Sequence, residues 1–363
     1  MEKSGASGVK SLMLRELQLK NFRCFEAIAA EFSAQFNYII GANGQGKTSI
    51  LEAACVLLRL QSQRSANLAP LVKFGAKWFA LAGRSAGHVL EFRYSGLRRK
   101  IAFDGIDQRT SEEYLRVGRV VSFANADIDL ARASSEPRRR YLDFMGAQID
   151  PRYRPTLRAY ERTLRCRNAL LKSPQPRARE IAAYDQPLLD HGAALSAMRA
   201  RLIERIAPLA ARAHREISGT NEQLAVRWSP GNSDDFPADL ARSRAAETRL
   251  RQTVVGPHRD DFELAIEGNA AAQFASEGQQ RTVALALKIA QAEIFATEDA
   301  APPLLLIDDI FGELDPTRRN ALLRSLPPDS QKLVTATSLS WREQAVAGQV
   351  FMLTGGRLRL ESL

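Results

Sequence analysis

The stretch YIIGANGQGKTSILEAA, residues 38–54, decides the fold. It has the pattern of an apolar strand, a glycine-rich turn and an amphipathic helix, and residues 41–48 match G-x-x-x-x-G-K-[ST] in full. Glycines let backbone N–H groups converge on phosphate, and the N-terminus of the helix adds positive potential. The pattern predicts a nucleotide-binding loop in an α/β protein. We expect it to contact the phosphates through Gly41, Ala42, Asn43, Gly44, Gln45, Gly46, Lys47, Thr48 and Ser49.

A second stretch supplies the acidic partner that such a loop needs. Four apolar residues, 304–307, precede Asp308 and Asp309, as in a central parallel strand. We expect Lys47 to reach the β- and γ-phosphates, and the Thr48 hydroxyl to ligate Mg²⁺ that Asp308 holds through water. Asp309 is expected to polarise the attacking water. The alternative is that the paired acids cap a following helix.

The spacing of these two motifs indicates a long insertion. Lys47 and Asp308 are 261 residues apart, too far for a small GTPase, and from about residue 134 the chain is rich in Arg, Ala, Leu and Glu at helical spacing. We predict a disordered extension at 1–12, with Met13 as an alternative start. The rest divides into one half of an ATPase head at 13–133, a helical arm at 134–250 and the other half at 251–363.

Ser276, Gly278 and Gln279 form a second candidate anion site. They stand at the head of a helix predicted over 279–296, where a serine and free backbone N–H groups favour an anion. One chain cannot easily bring both anion sites to one nucleotide, whereas two chains placed head to tail can. ATP would then hold two subunits together.

The charge distribution points to a polyanionic partner. The net charge is +10, and residues 132–167 hold ten arginines against four acids. Arg138, Arg139, Arg140 and Arg64 are candidate DNA contacts. Arg138, Arg139 and Arg140 are equally expected to form ion pairs with acidic residues of this chain instead. The arginine-rich run at 132–167 is likewise expected, as an alternative, to be a solvent-exposed face. We find no apolar run of membrane-spanning length, no C-x-x-C pair and no secretory h-region, so we expect a cytoplasmic protein that does not contact the membrane.

Several stretches together resemble the RecF family, recombination-mediator ATPases of the ABC type that are related to SMC heads. The stretches, in the family's order, are LQLKNFR (17–23), GANGQGKTSILEA (41–53), PRRRYLD (137–143), YERTLRCRNALLK (160–172), GPHRDDFEL (256–264), ASEGQQRTVALALKIAQAE (275–293) and LLLIDDIFGELDPTRR (304–319). Two positions depart from the family pattern: Glu277 adds a negative charge to the signature, and FANADIDL (123–130) replaces a more regular motif.

The resemblance implies a fold and an activity. The fold would be an ABC/SMC-type P-loop ATPase head, a mixed sheet flanked by helices, with an inserted mostly α-helical arm. Ser276, Gly278 and Gln279 would act as a signature motif in trans, and Asp315 would lie in the D-loop. Members bind ATP with Mg²⁺, form an ATP-dependent homodimer and hydrolyse ATP slowly as a switch.

The same resemblance implies the partners. Members bind double-stranded and gapped DNA and work with RecR and RecO to load RecA, which places them at the nucleoid. Two alternatives remain. An SMC-type structural chromosome protein needs long heptad arms, for which this insertion is too short. A transporter ATPase subunit usually has a histidine where this chain has residues 335–338.

Overall fold

The computed structural model describes residues 14–33, 35–65, 67–96, 98–298, 302–341 and 347–361. The predicted extension at 1–12 and Met13 lie outside these residues. The chain forms two compact units, the first from Met1–Asn125 and Ala292–Leu363, the second from Ala126–Gln291. The second unit begins before the predicted arm of 134–250 and ends after it.

The elements follow one another in chain order. They are β1 (Leu14–Phe22), β2 (Phe25–Glu31), β3 (Phe36–Ile40), α1 (Lys47–Arg59), β4 (Phe79–Ser85), β5 (His88–Ser95), β6 (Arg98–Phe103), β7 (Ile106–Gln108), α2 (Glu112–Arg116), β8 (Val120–Ala124), α3 (Asp129–Arg132), α4 (Ser135–Ile149), α5 (Tyr153–Leu171), α6 (Ala178–Ala182), α7 (Asp185–Ser218), β9 (Leu224–Ser229), α8 (Phe236–Leu250), β10 (Asp261–Ile266), β11 (Asn269–Ala270), α9 (Ala271–Phe274), α10 (Glu277–Glu298), β12 (Leu304–Asp308), α11 (Pro316–Ser325), β13 (Lys332–Ala336), β14 (Gln349–Thr354) and β15 (Arg357–Leu360).

The first unit is built on a mixed six-stranded sheet in the order β15-β14-β3-β13-β12-β8. Strands β14, β3, β13, β12 and β8 pair in parallel, and β15 is antiparallel to β14. Its strands β3, β13 and β12 are almost wholly buried, as expected of interior strands in a parallel sheet. The predicted central parallel strand at 304–307 is confirmed. The carboxyl ends of β3, β12 and β13 meet at one edge of this sheet.

A second, antiparallel sheet in the same unit has the order β2-β1-β4-β5-β6-β7. Helix α1 contacts strands of both sheets and is buried on every side from Ile50 to Leu58. Each large apolar side chain buried here contributes about 1.5–3 kcal/mol, so α1 joins the two sheets into one core. Asp104 and Gly105 both have positive φ, 49° and 78°, and form the hairpin turn between β6 and β7.

The second unit is mostly helical and also contains the small antiparallel sheet β11-β10-β9. Pro174 and Pro176 lie between α5 and α6, where the chain leaves the helical conformation. Asp260 is fully buried and accepts hydrogen bonds from Arg199 Nη1 (3.1 Å), Ser196 Oγ (3.0 Å) and Gly231 N (2.8 Å). Burial raises the pKa of Asp260 against the opposing effect of Arg199. Asp260 therefore acts in packing, as the acidic partner of Arg199 in a buried ion pair.

No helix among the described residues is long and apolar enough to span a membrane.

Candidate functional site

The glycine-rich loop between β3 and α1 depends on backbone conformations that side chains disfavour. Gly44 and Gly46 have φ values of 79° and 98°, in the left-handed region. A Cβ at Gly46 would also lie 2.6 Å from both Cys24 Sγ and the Phe25 ring, whereas Gly44 faces open space. Glycine is therefore required at position 46 by packing as well as by conformation.

Lys47 is held at the first turn of α1. Its side chain is 6% exposed, and Nζ donates hydrogen bonds to the carbonyl oxygens of Gly41 (2.7 Å) and Ala42 (3.1 Å). Gln45 fixes the loop on its other side, because its Oε1 accepts from Gly355 N at 3.1 Å. The loop is thus formed by the protein's own contacts.

Asp308, at the carboxyl end of β12, faces the start of α1. Its Oδ1 accepts hydrogen bonds from Thr48 Oγ1 at 2.9 Å and from Thr335 Oγ1 at 2.7 Å. The structure therefore brings together Thr48 and Asp308, which the sequence assigns to one metal site. Sequence reasoning missed Thr335, which stands opposite Asp308 in the β12–β13 register. The signal was a threonine inside the buried strand KLVTA.

Asp309 takes a strained conformation next to this site. Its φ is 52°, which is rare for a residue other than glycine and is found where function over-determines the backbone. Its backbone N–H donates to Thr335 Oγ1 at 3.1 Å. Burial raises the pKa of Asp309; Lys47 opposes this, whereas Asp308 and Glu313 add to it. A carboxylate with a raised pKa is suited to accepting a proton.

These groups open on one cleft of about 660 Å³. Its lining includes five residues absent from our sequence-based site: Arg23, Cys24, Pro70, Val72 and Phe74. Arg23 is fixed by Glu52, which accepts from Nε at 2.8 Å and from Nη2 at 2.9 Å. Phe74 is fully exposed. One wall of the cleft is thus apolar, while the predicted phosphate-binding residues Asn43, Gly44, Gly46, Lys47, Thr48 and Ser49 contribute polar groups.

The donor set suits Mg²⁺ bound together with a phosphate. A hydroxyl and a carboxylate, Thr48 Oγ1 and Asp308 Oδ1, lie side by side, and hard oxygen ligands are what Mg²⁺ takes. Among the described residues there is no cluster of three or more His, Cys, Asp or Glu side chains able to hold a metal. The protein thus offers Mg²⁺ a few oxygen ligands and leaves others to a nucleotide.

The signature residues lie in the second unit. Ser276 Oγ accepts from Gln279 N at 3.3 Å, and Gln279 Oε1 accepts from Ser276 N at 2.9 Å, which is a capping box at the start of α10. Ser276 is exposed and Gly278 half-buried. Glu277 is exposed and pairs with Arg281 at 3.3 Å, so its charge is partly balanced. The helix terminus is formed and accessible.

The remaining predicted residues have identifiable contacts. Asp315 is the N-cap of α11, accepting from Arg318 N at 2.9 Å. Arg138 makes a two-pronged ion pair with Asp261, and Arg139 donates to Asp260 O at 2.9 Å. Arg138 therefore has the acid pairing that is the alternative to DNA contact, whereas Arg139 bonds to a backbone carbonyl and to the Ser135 hydroxyl. Arg140 and Arg64 are exposed.

Comparisons with known proteins agree over nearly the whole chain. The model of the RecF/RecN/SMC N terminal domain family matches residues 13–354. The DNA replication and repair protein RecF of Symbiobacterium thermophilum is 36% identical over 371 residues, covering 96% of this chain and 99% of that protein. RecF of Gloeothece citriformis is 34% identical over 383 residues, covering 96% and 100%.

Solved structures lead to the same family. The recombination mediator protein RecF with ATP, in the RecFOR pathway, superposes with a TM-score of 0.88 at 29% identity, covering 99% of this chain and 100% of that one. The SMC head bound to the C-winged helix domain of ScpA reaches a TM-score of 0.55 at 17% identity, which shows likeness of fold alone. The predicted ABC/SMC-type ATPase head fold is confirmed.

Proposed function

This chain belongs to the RecF family of DNA replication and repair proteins, and we propose that it is an ATP-gated DNA-binding protein of recombinational repair. The observation that carries the proposal is the hydrogen-bonded set Thr48, Asp308 and Thr335, at the mouth of a cleft lined by Lys47 and the glycine loop. A hydroxyl, a carboxylate and an ammonium at the N-terminus of a helix suit the phosphates of a nucleoside triphosphate.

The residues have distinct roles in nucleotide binding. Backbone N–H groups of 41–48 bind the phosphates, and Lys47 exchanges its carbonyl contacts for the β- and γ-phosphate oxygens. Thr48 and Asp308 hold Mg²⁺, which supplies charge neutralisation on those oxygens when bound. A relative's solved complex contains ATP, which supports ATP as the nucleotide.

Hydrolysis follows from Asp309. Its carboxylate orients a water molecule in the cleft and accepts a proton from it as the water attacks the γ-phosphorus. The bond from that phosphorus to the bridging oxygen of ADP breaks, so the products are ADP and phosphate. We expect slow turnover of ATP, because each hydrolysis event serves to end the ATP-bound state of the protein.

The ATP-bound state is a homodimer in which each chain closes on the other's nucleotide. Ser276, Gly278 and Gln279 meet the partner's γ-phosphate, and Asp315 contributes through the D-loop. In the capping box Ser276 Oγ accepts a hydrogen bond, so its O–H remains free to donate to phosphate. Glu277 adds a negative charge beside the closing surface, which its ion pair with Arg281 balances only in part.

The ligand of the closed dimer is duplex DNA near single-strand gaps, bound mainly through phosphates. The net charge of +10 favours such a ligand. The RecFOR pathway named for the solved relative supports RecO and RecR as partners. We further propose that the outcome is RecA loading and that the protein acts at the nucleoid.

Fluorescence anisotropy of a labelled gapped duplex, with and without ATP and Mg²⁺, tests the proposal. The wild-type protein should bind with ATP and release the duplex without it. Lys47→Arg keeps the charge but displaces the ammonium, and should abolish the ATP-dependent part. Equal ATP-dependent duplex binding by the wild type and Lys47→Arg, or duplex binding that does not depend on ATP, would contradict ATP gating.

A further inference from the structure

The outward face of the antiparallel sheet in the first unit carries a row of basic residues. Registers across five strands place Ala27, Lys20, Ala80, Arg93 and Lys100 side by side on β2, β1, β4, β5 and β6. Residues directly opposite in a sheet point to the same face. On β1, β4 and β5 the row alternates with side chains buried against the core, such as Leu19, Leu81 and Phe92, so it faces solvent.

Two cations of the row, Lys20 and Arg93, are not neutralised by acids, whereas Lys100 has an acidic partner. Neither Lys20 nor Arg93 forms an ion pair with any described residue, and exposed Arg98 stands opposite Ser95 at the same end of the face. Lys100 pairs with Asp107 at 2.8 Å, with both side chains about two-thirds exposed. We name Lys20, Arg93, Arg98 and Lys100 the basic row.

Apart from Asp107, the acids on this face lie further along the strands. Glu91 lies two residues before Arg93 on β5 and points to the same face, so the rise of a strand places it about 7 Å away. Glu16 lies four residues before Lys20 on β1 and already forms an ion pair with Arg84 at 3.1 Å. The positive potential is therefore concentrated at the end of the sheet that holds the basic row.

Trp78 holds two of these cations in place. Lys20 Nζ lies 5.7 Å and the Arg93 guanidinium 4.5 Å from the centre of its ring. A cation held over an aromatic ring loses less side-chain freedom when it binds a ligand. Since the two cations stand over the indole, Trp78 serves to orient them and is not a stacking platform for bases.

The shape of the face suits a rod-like polyanion. Ala27, Ala29, Ala80 and Ala82 extend no further than Cβ, and with Gln18 and Lys20 they line a shallow groove of about 410 Å³. Two strand spacings set the Cα atoms of Lys20 and Arg93 about 10 Å apart on this face. Basic side chains raised beside a flat floor can reach phosphates that run across the sheet.

We propose that the basic row binds the phosphate backbone of duplex DNA. The proposal rests on the DNA-binding function argued above and gives it a surface. Two cations without an acidic partner, Lys20 and Arg93, are oriented by the Trp78 ring and suit phosphate. The contact should therefore be independent of sequence and sensitive to salt.

The test is the salt dependence of duplex binding by Lys20→Gln/Arg93→Gln in the full chain with ATP and Mg²⁺. Two lost phosphate contacts should reduce the slope of log K against log[salt] by about 1.8, which is about 60-fold weaker binding at 0.1 M salt. ATP affinity and the melting curve should match the wild type. Trp78→Leu should weaken binding by a smaller factor and leave the slope unchanged.

Arg84→Gln is the matched control, because it removes one positive charge from the same face where Glu16 already balances it. It should leave the slope unchanged, whereas Arg93→Gln alone should lower it by about 0.9. Duplex binding by the double variant with wild-type affinity and slope would overturn this proposal and leave the gated function standing. A wild-type protein that binds no duplex with ATP would overturn both.

Discussion

Replacing Thr335 by valine tests how the site is held together. Thr335 is 1% exposed, and its hydroxyl makes two contacts, donating to Asp308 Oδ1 at 2.7 Å and accepting from Asp309 N at 3.1 Å. Valine keeps the shape and removes the hydroxyl. Asp308 then keeps its bond from Thr48, and Asp309 N keeps its weaker contact with the Thr335 carbonyl at 3.2 Å.

The expected cost follows from the kind of bond that is lost. A hydrogen bond to a charged group contributes about 1.5–3 kcal/mol, so the free energy of unfolding should fall by about 2 kcal/mol at pH 7. Freeing Asp308 and Asp309 from their common anchor should also lower the rate of ATP hydrolysis about tenfold, because small misplacements of catalytic groups are costly.

Urea unfolding and single-turnover hydrolysis measure the two effects. Thr335→Ser restores the hydroxyl and should recover hydrolysis, although the lost methyl still costs stability. Thr337→Val, at an exposed position two residues further on, should behave as the wild type in both assays. If the valine and serine variants hydrolyse ATP equally well, Thr335 does not position the acids.

Three further outcomes are expected. In the nucleotide-free protein, Gly46→Ala should lower the free energy of unfolding in urea more than Gly44→Ala. Both substitutions strain a positive φ, but only a Cβ at position 46 would meet Cys24 and Phe25. Equal losses of unfolding free energy would contradict this. Burial lowers the pKa of His258 to about 4 from its usual 6.5, so the fold favours the neutral imidazole. The contribution of His258 to the free energy of unfolding is therefore fully present above pH 6.5, and it should fall by about 3 kcal/mol as the pH drops to 4. His258→Gln should flatten that pH slope in urea titrations, and an unchanged slope would assign it to other groups. Glu277→Gln should tighten ATP-dependent dimerisation about two- to fivefold at low salt in sedimentation experiments, and no change would mean that Arg281 already balances the charge.

The local parts of the site could be predicted from the sequence. The strand, loop and helix at 36–59 follow from neighbouring residues, and so do the apolar run before Asp308 and the turn at Asp104 and Gly105. Each of these patterns is complete within about twenty residues. Pairing Thr48 with Asp308 needed one further assumption, that nucleotide motifs meet at the carboxyl edge of a parallel sheet.

The parts that the sequence did not predict depend on contacts between distant segments. Thr335 contacts Asp308 because of the β12–β13 register, and that register cannot be predicted from the residues near either position. Arg23 reaches Glu52 across the unit, and Arg138 finds Asp261 more than a hundred residues later. Strand β9 lies inside the predicted helical arm, because its pairing with β10 outweighs the helical character of its neighbours.

The central claim is that ATP closes two chains on each other, and light scattering of Asp309→Asn measures this most directly. This substitution removes the base while keeping the size of the side chain, so bound ATP should persist. The account predicts a monomer without nucleotide and a particle of about twice the mass with ATP and Mg²⁺, which holds a gapped duplex. A monomer under every condition, with ATP shown to be bound, would contradict the account.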